Sequence, residues 1–465
     1  MVGRRGPVFS RRSLIGAGVG VGAAVFAGAG SGVAHAAGSS AQRRGHGFLA
    51  AAMDGYPDHG SVRLTQSYSD QAGLFSTAFT YDNALAVLAH LATRTADGRA
   101  RAVVLGDALL YAQEHDPVYD DGRLRQAYNV GPYTFFDGSL QPDGFVRADG
   151  TANVGTQFGF TGTAVGDMAW AAIALSALAR RTGARRFLDG AVRIGAWIER
   201  IGRTDEPLGG YKFGVNGANE KLPFTSTEHN TDLVCLFGRL ALLTGDRVWR
   251  ERRARAEAFV KKMWEPAGGF FYTGTNDGVT VNKSPIPEDT QTWTHLALGS
   301  RSESHSYSRS YSRALDWAAA ELAVLDHADR RNSTVPAGQT YEGVTFSSAS
   351  LVANEDAPIA EFQPKPDRNG VWFEGTAHLA LALRDRNGRG DEASARRLLT
   401  SIERAQDLLG AGQTVGGRAL PERSGVVSAS SPLDTGFGFG YYPYRHAGAT
   451  AWYLLAATRT NPLRA

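Results

Sequence analysis

The feature that most limits what this chain can fold into is a repeated alternation of two kinds of helix. A strongly apolar helix is followed by a short polar loop and then by an amphipathic helix. The clearest case begins with Val165 to Arg180, where Met168, Ala169, Trp170, Ala171, Ala172, Ile173, Ala174 and Leu175 run together. A helix apolar almost all round must be buried on most sides. Its partner carries Phe187, Ala191, Ile194, Ile198 and Ile201 at helical spacing, with Arg and Asp on the other face. The loop between them, Arg181 to Ala184, contains Gly183, which suits a helix C-terminus.

The alternation recurs along the chain. Further hairpins begin near Tyr81, His229, Thr290 and Phe373. Their expected turns are Asp97-Gly98, Thr244-Gly245-Asp246, the stretch Gly299 to Ser312, and Asn387 to Gly390. Ala447 to Ala457 is a last apolar helix with no partner after it, and Gly47 to Met53 reads as a helix with none before it. Apolar helices start near residues 82, 167, 230, 291, 374 and 448, and such spacing marks a repeat architecture. Pairing the first helix with the last closes about twelve helices into an all-α (α/α)6 toroid of six helical hairpins. An open solenoid would need polar capping helices, and Ala447 to Ala457 is too apolar for that role.

Loop lengths separate two rims. Turns inside hairpins are short, whereas connections from each amphipathic helix to the next apolar one are long. Gly209 to Gly214, Gly268 to Gly274 and Asp143 to Val146 share a Gly-aromatic pattern, and Asp277-Gly278 reads as a hairpin turn before Val279 to Val281. Small β-hairpins are therefore expected to wall a cavity on one rim, where long loops on a rigid scaffold carry function.

The N-terminus gives an address. Ser10-Arg11-Arg12-Ser13-Leu14-Ile15 is a twin-arginine signal, followed by a charge-free run and by Ala34-His35-Ala36, an A-x-A cleavage site. Residues 1–36 are expected to be removed, leaving 37–465 as a single toroid. The chain is then expected to be secreted, with the twin-arginine translocation machinery as its partner during export. The apolar run is too rich in Gly to make a good spanning helix, so no stable membrane association is expected. The 465 residues carry a formal charge of +3, with no basic tract that would suggest nucleic acid. One cysteine, Cys235, excludes a disulfide framework and Cys-based metal clusters. Neither H-E-x-x-H nor G-x-S-x-G occurs, and no metal or cofactor is expected.

Where the long connections enter the apolar helices, acids and aromatics cluster. These entries hold Tyr81-Asp82, Asp167, Glu228-His229, Glu288-Asp289 with Trp293, Trp372-Phe373-Glu374, and Tyr441 to His446. Singly, an acid at a helix N-terminus serves as a cap or complements the dipole. In a closed toroid, however, all six helix starts meet at one mouth, so several carboxylates share a cleft. Paired carboxylates flanked by aromatics are what glycoside hydrolysis requires.

The motifs Tyr81 to Ala86 and Trp372 to Ala377, within this helix alternation, resemble the six-hairpin glycosidase superfamily. The resemblance implies an (α/α)6 fold and a glycoside hydrolase acting on an oligosaccharide or polysaccharide. Asp289 and Glu374 are the expected catalytic pair, Glu374 held protonated by an apolar surround. Asp82 grips the sugar across the cleft and Glu228 is the reserve acid. Tyr81, Trp293, Trp372, His229, Tyr442 and His446 are expected to bind the carbohydrate. Asn230 to Leu233 with Leu242 to Asp246 is similar to a hairpin of the N-acylglucosamine 2-epimerase family, which implies paired histidines drawn from His229, His295, His378 and His446. A polysaccharide lyase would use Arg445 beside His446, and a non-catalytic carbohydrate-binding toroid would need the aromatics without the acids.

Overall fold

A computed structural model describes residues 39–56, 61–299 and 310–464. The twin-arginine motif, the expected cleavage site and most of the Gly299 to Ser312 turn lie outside the described residues. Twelve α-helices occur among the described residues, in six pairs. The chain opens with α1 (Ser40–Met53) and α2 (Thr80–Ala92), followed by α3 (Ala96–Glu114) and α4 (Val165–Thr182). Next come α5 (Arg185–Gly202), α6 (Thr227–Thr244), α7 (Val248–Lys262) and α8 (Glu288–Leu298). The last four are α9 (Arg313–Glu321), α10 (Phe373–Arg386), α11 (Asp391–Leu408) and α12 (Ala447–Ala457).

The even-numbered helices form the inner ring. Each packs on the next, α2 on α4, α4 on α6, α6 on α8, α8 on α10 and α10 on α12, and α12 returns to α2. The ring is closed, as the apolar last helix requires. Every residue of α8 and all but the last of α12 are buried, whereas α5 buries only a stripe that includes Phe187, Ala191, Ile194 and Ile198. The centre of the ring is filled. Trp170, Trp293, Trp452 and Tyr81 are all fully buried, with ring centroids 5.1–6.0 Å apart in edge-on, tilted and stacked pairs.

Most hairpin turns fall where expected. Gly183 and Gly245 end α4 and α6 in the left-handed conformation, at φ 73° and 74°. The first turn is an exception. Asp97-Gly98 lies inside α3, and the chain instead reverses at Thr93–Thr95, with Thr95 capping α3 through the Gly98 amide. A Cβ on Gly98 would stand 2.1 Å from Thr93 Oγ1 and 2.5 Å from the His90 carbonyl. That glycine is needed for close approach rather than for a turn.

The rim strands are mostly two residues long; among the described residues most pair within one connection, and three pairings join one connection to the next. The expected hairpin at Asp277-Gly278 forms, pairing Gly274–Thr275 with Val281–Asn282, and Trp264–Glu265 pairs with Phe270–Phe271. Gly214–Val215, by contrast, pairs with Thr163–Ala164 from the preceding connection. This is a rule of the ring. The residues entering α2, α4 and α6 pair with the connection that follows, at Ala127–Asn129, Gly214–Val215 and Gly274–Thr275. Pro287 bridges Ser347 and Trp372 bridges Ala429 in the same way, and His446 bridges back to Tyr68. The rim therefore closes as the helices do, and it fixes each inner helix at its N-terminus.

Candidate active site

All inner helices start at this rim, so acids in their first turns are brought together. The 18-residue α4 and α6 carry their C-terminal turns to the opposite rim, roughly 24 Å away at 1.5 Å per residue. The Thr182-Gly183 and Thr244-Gly245 turns thus lie far from the acids, as expected. Asp82, Glu288, Asp289 and Glu374 are buried, and Glu228 is partly exposed. The caps of α2, α8 and α10 are Phe79, Pro287 and Trp372, none of which makes a side-chain cap bond. The acids lie within the first turn, where the helix dipole favours negative charge.

Glu374 is the hub. The Tyr81 hydroxyl donates to its Oε1 at 2.7 Å, and Trp452 Nε1 donates to that hydroxyl at 2.8 Å. His378, one helical turn along α10, places Nε2 3.7 Å from Oε1, and His446 Nδ1 lies 3.5 Å from Oε2. Hydroxyl and imidazole groups therefore surround this carboxyl, in place of the apolar pocket expected behind Trp372-Phe373. Tyr81 thus orients the Glu374 carboxyl.

Two arms extend from the hub. In one, His446 caps α12 by accepting the Ala449 amide at Nδ1, 3.2 Å away. The proton then sits on Nε2, which donates to Asp82 Oδ2 at 3.2 Å. The His446 ring is stacked on Tyr68, with centroids 4.1 Å apart. Space here is tight. A Cβ on Gly448 would lie 2.6 Å from Asp82 Oδ1, 2.7 Å from His446 Cε1 and 3.0 Å from Glu374 Oε2. In the other arm, His378 Nδ1 lies 3.1 Å from Glu288 Oε2. Burial lowers the His378 pKa, but its bonds to Glu288 and Glu374 outweigh burial and raise it overall. Burial raises Glu288, against the His378 bond.

Asp289 differs from the rest. Burial, then the charges of Glu228 and Glu288, push its carboxyl well above the ordinary carboxylate value. Its Oδ1 accepts the Thr290 amide at 2.7 Å. Glu228 and Glu288, rather than Glu374, are the carboxylates that act on it most strongly. The acids thus fall into two linked groups, Asp289 with Glu228 and Glu288, and Glu374 with His378, His446 and Asp82.

The expected sugar-binding residues separate. Trp293 belongs to the buried central plug and packs on His378, with centroids 5.3 Å apart. Trp372 is buried against Phe346 and Tyr441, and its ring covers Gly375. The His229 ring rests on Phe213, with centroids 4.4 Å apart. Tyr442 is buried and donates its hydroxyl to Gln363. Arg445 points away from the acids. It is buried, its Nη1 donates to the Pro421 carbonyl at 2.9 Å, and burial lowers its pKa to about 10. Neighbours on a strand face opposite sides, so Arg445 and His446 do not form a uronate-binding pair. His295 lies toward the far end of α8, 3.9 Å from Asp385. Glu288 and Gly448 are the residues to which the sequence gave no role, and His378, expected only as a candidate of a histidine pair, instead joins Glu288 and Glu374; the i, i+4 spacing of Glu374 and His378 was the available signal.

Six helical hairpins closed into a ring, with acids gathered at the inner-helix starts, define an (α/α)6 toroid. Solved structures of this fold are similar over nearly the whole chain. A D-mannose isomerase matches with a TM-score of 0.57 and 13% identity, covering 90% of this chain and 95% of its own. A family 76 glycoside hydrolase from a bovine Bacteroides thetaiotaomicron strain matches at 0.55 and 12%, covering 90% and 78%. A cellobiose 2-epimerase from Bacillus thermoamylovorans matches at 0.56 and 11%, covering 88% and 95%. No family model matches the chain, and no curated protein matches its sequence.

Proposed function

We propose that this chain is a carbohydrate-active enzyme that hydrolyses glycosidic bonds in an oligosaccharide or polysaccharide. The observation that carries the reading is the position of Asp289, buried and pushed toward its protonated form beside the partly exposed Glu228. Neighbouring carboxyls with separated proton affinities supply an acid and a base together. Asp289 donates its proton to the leaving glycosidic oxygen. Glu228 activates water or attacks the sugar carbon, the two routes of glycoside hydrolysis.

Glu374, with Asp82, His446 and His378, forms the floor that orients the sugar. The proposed roles of the two imidazoles argue against epimerisation through paired histidines. His446 uses one nitrogen for the α12 cap and the other for Asp82, and His378 stands between two carboxylates. The fold neighbours include glycoside hydrolases as well as sugar isomerases and epimerases.

The test is incubation of the protein with a panel of oligosaccharides, read by reducing-sugar release and chromatography. New reducing ends support hydrolysis. Interconversion of a sugar without cleavage refutes it in favour of an epimerase, and an unsaturated product in favour of a lyase. Export by the twin-arginine route is part of the same proposal. Cleavage after Ala36 would leave Ser39, the capping residue of α1, in place.

A further inference from the structure

Two aromatic side chains are strongly exposed among the described residues, and both lie on rim connections. Phe136 is 75% exposed, at the tip of the hairpin pairing Tyr133–Thr134 with Leu140–Gln141. Phe362 is 80% exposed, on the connection entering α10. Phe136 borders an aromatic cluster. Phe136 lies 4.9 Å from Phe75, which lies 5.7 Å from Phe158. Beneath the surface, the buried Phe160 and Phe79 link Phe158 to the buried Tyr68, which stacks on His446 of the acid cluster. On the Phe362 side, Ile359 packs into the same cluster, and Gln363 accepts the Tyr442 hydroxyl.

The backbone of this strip is strained. Phe75 and Phe362 have φ of 51° and 65°, left-handed values that a bulky side chain adopts only at a cost in energy. Beside Phe158, the Gln157 amide donates to Thr77 Oγ1 at 3.1 Å and to Asn129 Oδ1 at 2.7 Å. Its Oε1 is buried with no partner. An acceptor held in place beside aromatic faces suits a ligand that offers hydroxyl donors and a C–H face together, and a pyranose ring offers both.

We infer that the exposed Phe136 and Phe362, with the half-buried Phe75 and Phe158, form a set of outer sugar subsites, and that the substrate is an oligosaccharide of several residues. Outer pyranose rings pack their C–H faces on the phenyl faces, and Gln157 Oε1 accepts a sugar hydroxyl. This rests on the carbohydrate reading above and adds chain length to it. Stacking of this kind changes affinity by about 2- to 10-fold per aromatic ring.

The test is calorimetric titration of the full chain with α-glucan, β-glucan and α-mannan oligosaccharides of two to six residues. Within the series that binds, affinity should rise with length. Phe136→Ala and Phe362→Ala should each weaken hexasaccharide binding about 2- to 10-fold and leave disaccharide binding unchanged. Gln157→Glu, which keeps the size and adds a charge, should act in the same direction. Hexasaccharide affinity equal to wild type in both phenylalanine variants overturns the outer subsites. If the wild type still cleaves a disaccharide in that case, the hydrolase reading stands without the subsites. Binding of no series overturns both.

Discussion

Asp289→Asn separates chemistry from stability in a way the structure makes quantitative. The Asp289 carboxyl is buried, with Glu228 and Glu288 acting on it, and its proton affinity lies well above the ordinary value of 3.8. Above that pH the unfolded chain has released a proton that the folded chain still holds. Stability then falls as pH rises, by about 1.4 kcal/mol per pH unit, until the native group itself ionises. Asn is close to the same shape and has no such proton. The variant should therefore melt with the wild type near pH 3.8 and gain roughly 1–2 °C for each pH unit above it. Turnover should fall about 10²-fold or more, the scale of a lost general acid. Thermal melts between pH 4 and 8 and turnover on a cleaved oligosaccharide measure the two effects. A melting difference that does not change with pH would show that Asp289 is not raised. Full turnover would remove it from the chemistry.

Further expectations follow from the same contacts. Gly448→Ala favours the helix by roughly 1 kcal/mol in propensity, yet its Cβ would press on Asp82, His446 and Glu374, so turnover should drop at least about tenfold; wild-type turnover would mean that this arm of the cluster does not serve the reaction. His378 is raised by Glu288 and Glu374, so its stabilisation is complete below pH 6.5 and fades as pH rises through the native pKa. His378→Asn should therefore destabilise most in acid, and equal destabilisation at pH 5 and pH 9 in chemical denaturation would contradict the charged pair. Trp452→Ala removes a fully buried ring that packs on Trp170, Trp293 and His378 and bonds Tyr81; a loss of about 3–5 kcal/mol is expected, and a loss under 1 kcal/mol would show that the plug is not close-packed. Arg11→Lys with Arg12→Lys should leave precursor in the cytoplasm on immunoblots of cell fractions, and normal secretion would remove the twin-arginine reading.

The ring was legible because burial leaves a one-dimensional trace. An inner helix such as α4 is apolar on every side and an outer helix such as α5 on one stripe, so alternation and closure could be read from residue type alone. Helix starts were legible for the same reason, and with them the rim where Asp82, Glu228, Asp289 and Glu374 would lie. Partners across the ring leave no such trace. Glu374 and Tyr81 stand 293 positions apart, and Asp82 and His446 364 apart. Only the i, i+4 step from Glu374 to His378 signals an imidazole near this carboxyl, and no spacing reveals the Tyr81 hydroxyl or the His446 ring. Gly98 read as a turn because a Cβ clash with Thr93 and His90 exists only once the chain has folded back on itself. Periodicity therefore determined which residues are inside and at which end the acids gather. Tertiary packing decided which acid meets which base, because proton affinity depends on distances between helices that the chain order does not encode.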